Sequence, residues 1–595
     1  MDKKNKLDLD IPERTPPPEG SFLTKPKAVE AWISSLPMAN TNETSRQVFK
    51  AIVDFNRMVI PNLPRLKAAE MFRGPIHYIT ENLKRYYFDT PFPLSAKNRK
   101  IAVLNRELYM ELAAAYKIVI VEMIAGDARK IDKNLLVVAI QRAMRCLASV
   151  LYQSVIVYDP FPMGVWGEIN RLYAYAEQNR VHELGVKDTQ QNRPANSIRE
   201  IYMQVLLFSV ISPYRLRQRE IEHCYHQLPA WSAYVTLSMP ERISSSTSLF
   251  VTRLSSDNPP SHIKLQTSPI DRHCRQLDAI NLVQLLQSIY DSVESDQLPQ
   301  EGLQDDDPGN RQLLGKLIQV MEKVQKRKYV RTRLNFELKI VVGLPAIHSL
   351  LQLPAKAEIT ETEAPQVADD EIDWFTPRET KPLINVPETT GTHAQIHLPP
   401  DAGLSGQETI VALDADGIGY PGGTLPAWVA STTERAPEPF SCTTDNESAW
   451  GYCILWPPAN TSRVRVGELL GIHVSGSSTS HYRVGISRWL RNLPGVGIQV
   501  GMEIVGLDSI AVGVTPVGVN DPSENPVDCI LLPESKSTGQ RATLLTPVNP
   551  FAVEDEVVIE DPSGRKSVRL IEKLESTGAF CRFQFEESTD PHQRR

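Results

Sequence analysis

The hydrophobic period of this chain changes once along its length, and that change limits the folds it can adopt. Between residues 41 and 230 apolar side chains recur every three or four positions, the spacing of helices with one buried face. Val48, Ile52, Phe55 and Val59 form one stripe, and Asn40 with Glu43 three residues on has the chemistry of a helix cap. Ile101, Leu104, Leu108, Leu112, Ala115 and Val119 form another, with Gly126 placed to end it. Further helices are predicted over 133–158, 166–178 and 197–211, punctuated by Pro160, Pro162 and Pro213.

After Trp231 the texture turns to short β-forming runs separated by Ser, Pro and Asn. The expected class is therefore α+β and multidomain. Residues 1–40 are polar and proline-rich and read as a disordered tail, and 41–230 as an all-helical domain. Residues 231–326 read as a small β segment with a helical connector, whose helices are predicted over 272–294 and 311–326. An antiparallel β-barrel is expected from 327–353 together with 435–515, split by a disordered acidic and proline-rich insertion at 354–434. Residues 516–590 complete the chain as a C-terminal β-rich domain.

Composition removes several function classes. A net charge of −7 with a pI near 6.0 gives no footprint for coating DNA or RNA. Seven cysteines without a C-x-x-C pair fit reduced, packed thiols. The N-terminus lacks the apolar core of a signal peptide, and no uninterrupted apolar run approaches the ~18 residues of a membrane span. A cytoplasmic protein is expected. His223, Cys224 and His226 sit within one helical turn, yet no second cluster is spaced to complete a metal site. There is no G-x-S-x-G, P-loop lysine or H-E-x-x-H, so no catalytic residue is assigned and no enzyme is expected.

Two polar motifs remain. Arg327-Lys328-Tyr329-Val330-Arg331 is an R-x-x-x-R at the entry to the first β run. Guanidinium groups can grip a phosphate with two parallel donors or stack on a purine. Alone the pattern is weak, since Arg215 with Arg219 and Arg565 with Arg569 repeat it. The second motif, Asn446-Glu447-Ser448-Ala449-Trp450-Gly451, is an N-x-S-x-x-G. On an extended segment Asn446 and Ser448 share a face, and Gly451 permits a close backbone approach. A plain Asn/Ser turn between strands would have the same composition.

In this order, and followed by strand-like segments that end in Gly497-Ile498-Gln499-Val500-Gly501-Met502-Glu503-Ile504, the two motifs resemble those of PilZ domains, small barrels that bind cyclic di-GMP. The resemblance covers 327–353 and 435–512, about a fifth of the chain. It implies a ligand site of Arg327, Arg331, Asn446, Ser448 and Gly451, no cofactor, and a sensor that signals to a protein partner through the helical domain. The sequence departs from the pattern in two ways: more than a hundred residues separate the motifs, and Asn446 stands where aspartate is common, with Asp445 beside it. The alternative is an interaction scaffold with a vestigial barrel that binds no ligand.

Overall fold

A computed structural model describes residues 7–126, 132–188, 193–240, 246–294, 308–322, 336–352, 438–448, 450–457, 463–474, 482–517, 526–534, 541–561 and 564–588. Its first segment corrects the expected tail. Residues 7–40 pack onto the helices, with Leu9, Leu23 and Val29 buried, Thr15 bridged to Met58, and Arg14 paired to Glu122. The few apolar residues here show no period, yet each fills a slot in a surface built by later helices. Helix α1 (Pro26–Ser34) starts with proline at its first position, where the missing N–H costs nothing.

Helix α2 (Thr41–Asn56) is capped as expected, Asn40 accepting from the Glu43 N–H at 3.1 Å. It ends before Val59, which is exposed, so the predicted stripe stops at Phe55. Helices α3 (Asn62–Lys84) and α4 (Ala96–Ala125) follow, α4 running from its Ser95 cap to Gly126. Then come α5 (Lys133–Val155), α6 (Val165–Gln178), the hairpin β1 (Val186–Asp188) and β2 (Arg193–Asn196), α7 (Ile198–Val210) and α8 (Gln218–Trp231). By length and composition α5 could cross a membrane, because Arg142 and Arg145 interrupt its apolar run without ending it. However, 72% of its most apolar window is buried inside the protein, and α5 serves as the central core helix.

A small antiparallel sheet follows, built from β3 (Thr236–Ser238), β4 (Leu249–Arg253), β5 (Ser261–His262) and β6 (Cys274–Asp278) in the order β3-β6-β4-β5. β6 lies where the sequence predicted the first turn of a helix, and α9 (Ile280–Glu294) begins only after it. Cys274 to Leu277 are buried on both faces, so the alternation that marks a strand is absent. Helix α10 (Pro308–Glu322) packs on α9 and reaches α8 through Lys316 Nζ and Glu220 Oε1 at 2.8 Å.

Two closed antiparallel barrels complete the described chain. The first contains β7 (Glu337–Val342), then helix α11 (Leu344–Gln352), then β8 (Phe440–Ser448), β9 (Gly451–Trp456), β10 (Leu469–Val474), β11 (Arg483–Leu493) and β12 (Gly497–Gly506). Its strands run β10-β11-β12-β9-β8-β7, and β10 pairs with β7 to close the ring. The second contains β13 (Ile510–Pro516), β14 (Val527–Leu532), β15 (Thr543–Thr546), β16 (Glu556–Asp561), β17 (Gly564–Ser576) and β18 (Cys581–Glu587). β13 pairs with β14 and β16, so the second barrel starts at Ile510 rather than at residue 516.

The interior of the first barrel, including Ile340, Ile454, Trp456 and Val500, is continuous with the core of the helices. The second barrel has its own core around Val514, Leu544 and Phe583. Between the barrels lies a third cluster that includes Leu344 and Ile347 of α11, an element the sequence reading missed inside an apolar run.

Candidate functional site

The second motif lies on the β8–β9 hairpin, and a β-bulge decides which way it faces. Cys442 and Thr444 point into the barrel, both nearly inaccessible. Strict alternation would send Asn446 and Ser448 inward after them. The register slips between Thr444 and Asn446: Thr444 pairs with Ile454, and Asn446 pairs with the very next residue, Cys453. Asp445 is the extra residue of this bulge. Beyond it Asn446 and Ser448 face outward, in the cross-strand rows of Gly501 and of the exposed Glu503.

Asp445 organises the surface so formed. Its Oδ2 accepts from Asn446 Nδ2 at 3.0 Å and from Gln499 Nε2 at 3.1 Å, with Cys453 Sγ at 3.9 Å beneath. A carboxylate therefore stands one residue before Asn446 and is bonded to it. Ser448 Oγ bonds the Gly451 carbonyl at 3.2 Å, which ties the two ends of the turn together.

Gly451 proves to be a strand-packing residue. A Cβ there would sit 2.2 Å from the main-chain oxygen of Met502, so the close approach it permits is that of β12. Gly501 has a different reason. The indole of Trp489 lies across it, and a Cβ would fall 1.9 Å from Nε1. Trp489, Gly501, Cys453 and Asn446 form one outward row across four strands, which places a partly buried aromatic ring on the face that carries the motif.

Arg327 and Arg331 lie outside the described residues. The first described residue after them, Phe336, is fixed beside the motif: its N–H donates to Thr444 Oγ1 at 3.0 Å, and its carbonyl accepts from the Thr444 N–H at 3.0 Å. Trp489 and Gln499 were missed by sequence reasoning. They were legible in principle, because counting outward from the turn at Gly495 pairs 491 with 499 and 489 with 501.

A closed six-stranded antiparallel barrel that carries this hairpin is the fold expected of a PilZ domain, and the family comparison agrees. Residues 249–509 match the family model described as "Cyclic-di-GMP receptor FimW, middle PilZ domain". On either side, 27–242 match "Cyclic-di-GMP receptor FimW, N-terminal domain", and 512–588 match "FimW C-terminal beta-barrel domain". The middle of the chain is thus a PilZ domain, flanked by regions similar to the other two FimW domains. Among curated proteins it is 27% identical over 573 residues to the cyclic-di-GMP receptor FimW of Pseudomonas aeruginosa, which covers 94% of this chain and 90% of that protein. No solved structure matches it.

Proposed function

We propose that this protein is a cytoplasmic cyclic di-GMP receptor, a binding protein rather than an enzyme, whose PilZ barrel captures the dinucleotide and whose helical domain relays the event to a protein partner. The observation that carries this reading is the bulge that turns Asn446 and Ser448 outward with Asp445 beside them. Asn446 and Ser448 offer an amide and a hydroxyl to a guanine edge or sugar, and Asp445 adds a charged acceptor for guanine N–H groups. Arg327 and Arg331 hold the phosphates and guanine faces, while Gly451 keeps the wall in shape.

Chain length supports the pairing of the two motifs. Arg331 precedes Phe336 by five residues, and each residue spans at most ~3.6 Å, so it is tethered within about 18 Å of the residue bonded to Thr444. On the other side the arginine motif follows α10, whose Lys316 holds Glu220 of α8. Contacts of Arg327 and Arg331 with a ligand can therefore bias α10 and the helices it touches.

Calorimetric titration of the full chain with cyclic di-GMP tests the reading. Saturable binding is expected, weakened at least about tenfold by Arg327→Ala with Arg331→Ala and by Asp445→Ala with Asn446→Ala, as lost charge-assisted bonds require. Absence of binding heat in the wild type, or wild-type affinity in both double variants, rejects it.

A further inference from the structure

We propose that Glu503 reads one guanine of the dinucleotide, its carboxylate accepting from the N1–H and the N2 amino group and so selecting guanine over other purines. The inference rests on the reading of the first barrel as a cyclic di-GMP site, and it adds a residue that belongs to neither sequence motif.

Strand register puts Glu503 on the right face. Ser448 of β8 pairs with Gly451 of β9, and Gly451 pairs with Glu503 of β12, so the three form one cross-strand row. Neighbouring strands lie ~4.8 Å apart, which sets the backbones of Ser448 and Glu503 about 10 Å from each other. Gly451 between them carries no side chain, so the edge of a flat base can enter the gap from outside. The Glu503 side chain is 52% exposed and therefore open to a ligand. The face then holds two carboxylates, Asp445 beside Gln499 and Glu503 four residues further along β12, for a ligand with two guanines.

The carboxylate is held before any ligand arrives. The register of β11 slips between Ser487 and Trp489, and Arg488 is the extra residue of that bulge. Its Nε donates to Glu503 Oε2 at 2.7 Å. The same guanidinium is gripped by both oxygens of Glu575 on β17, Nη2 lying 3.2 Å from Oε2. A chain of charge-assisted bonds thus runs from the second barrel to the motif face and fixes Glu503, which lowers the ordering cost of binding. Only one oxygen of Glu503 is used in that chain. Among the described residues Oε1 accepts no hydrogen bond, and Oε2 keeps a second lone pair. Guanine presents its N1–H and N2 amino group side by side, and a carboxylate meets such a pair with two parallel bonds. Hypoxanthine offers the N1–H alone, and adenine turns an unprotonated nitrogen toward the carboxylate, which leaves both polar groups unmatched.

Calorimetric titration of the full chain with cyclic di-GMP and with cyclic di-IMP, which lacks the N2 amino groups, tests the assignment in the wild type and in Glu503→Gln. The wild type is expected to bind cyclic di-GMP at least about tenfold tighter than cyclic di-IMP. Glu503→Gln should weaken cyclic di-GMP about tenfold and cyclic di-IMP less, so that the preference narrows at least about threefold, with the thermal midpoint unchanged. Wild-type affinity in the variant, or equal weakening toward both ligands, overturns the proposal, because a merely structural role would not distinguish the two bases. A wild type that binds neither ligand overturns the receptor reading together with this one, whereas binding with an unmoved preference overturns this one alone.

Discussion

A methyl group at Gly451 would need the space held by the Met502 carbonyl, and that oxygen belongs to a strand that cannot step aside without breaking the β9–β12 ladder. Gly451→Ala is expected to lower unfolding free energy by about 3 kcal/mol in a urea melt. Gly501→Ala should cost less, about 1–2 kcal/mol, because the indole it displaces can rotate outward. Asn446, Ser448 and Gly451 were legible as a cluster because their identities and spacing are local. The outward turn of Asn446 was not, since a bulge depends on which residue of β9 each residue of β8 meets, and no residue of β8 carries that information by itself.

Helix boundaries were legible where the cap lies in the same stretch of sequence, as at Asn40 and Gly126. Helix α6 shows the limit. Its N-cap is Gly164, which has no side chain to offer, and the open N–H groups of Gly164 and Gly167 are bonded by Asp257 at 2.6 and 2.8 Å. That carboxylate comes from the β4–β5 loop about ninety residues later, so nothing near α6 could announce it. Asp257→Ala should cost about 1 kcal/mol by thermal or urea melting, and Asp257→Asn about half as much, because the amide oxygen keeps one bond and loses the charge favoured at a helix N-terminus. Strand β6 was hidden for a related reason: with both faces buried it has no alternation to read, and its Arg275 is satisfied by Glu177 of α6.

Across the whole molecule, Arg217 is where helices and both barrels meet. Its Nε bonds the Val466 carbonyl at 2.9 Å. Gly467 from the first barrel and Gly578 from the second, both at positive φ, bring their backbones so near the guanidinium that a Cβ would lie 2.8 and 2.5 Å from it. Its own N–H is bonded by Glu220, the residue that holds Lys316 of α10. Arg217→Ala should cost about 2 kcal/mol and split a single calorimetric melt into two, with the second barrel unfolding apart from the rest. An unsplit melt at the wild-type midpoint would show that the junction carries no coupling. Such contacts join residues hundreds of positions apart and escape any local pattern, whereas the order of helices, barrel and C-terminal β-rich domain was visible in the change of period; that the last of these also closes into a barrel was not. The core shared by the helices and the first barrel makes the barrel non-transferable. Grafted onto another protein it would arrive with the side of Phe92, Tyr158 and Val464 stripped of its cover, so substitutions in helix and barrel have to accumulate together.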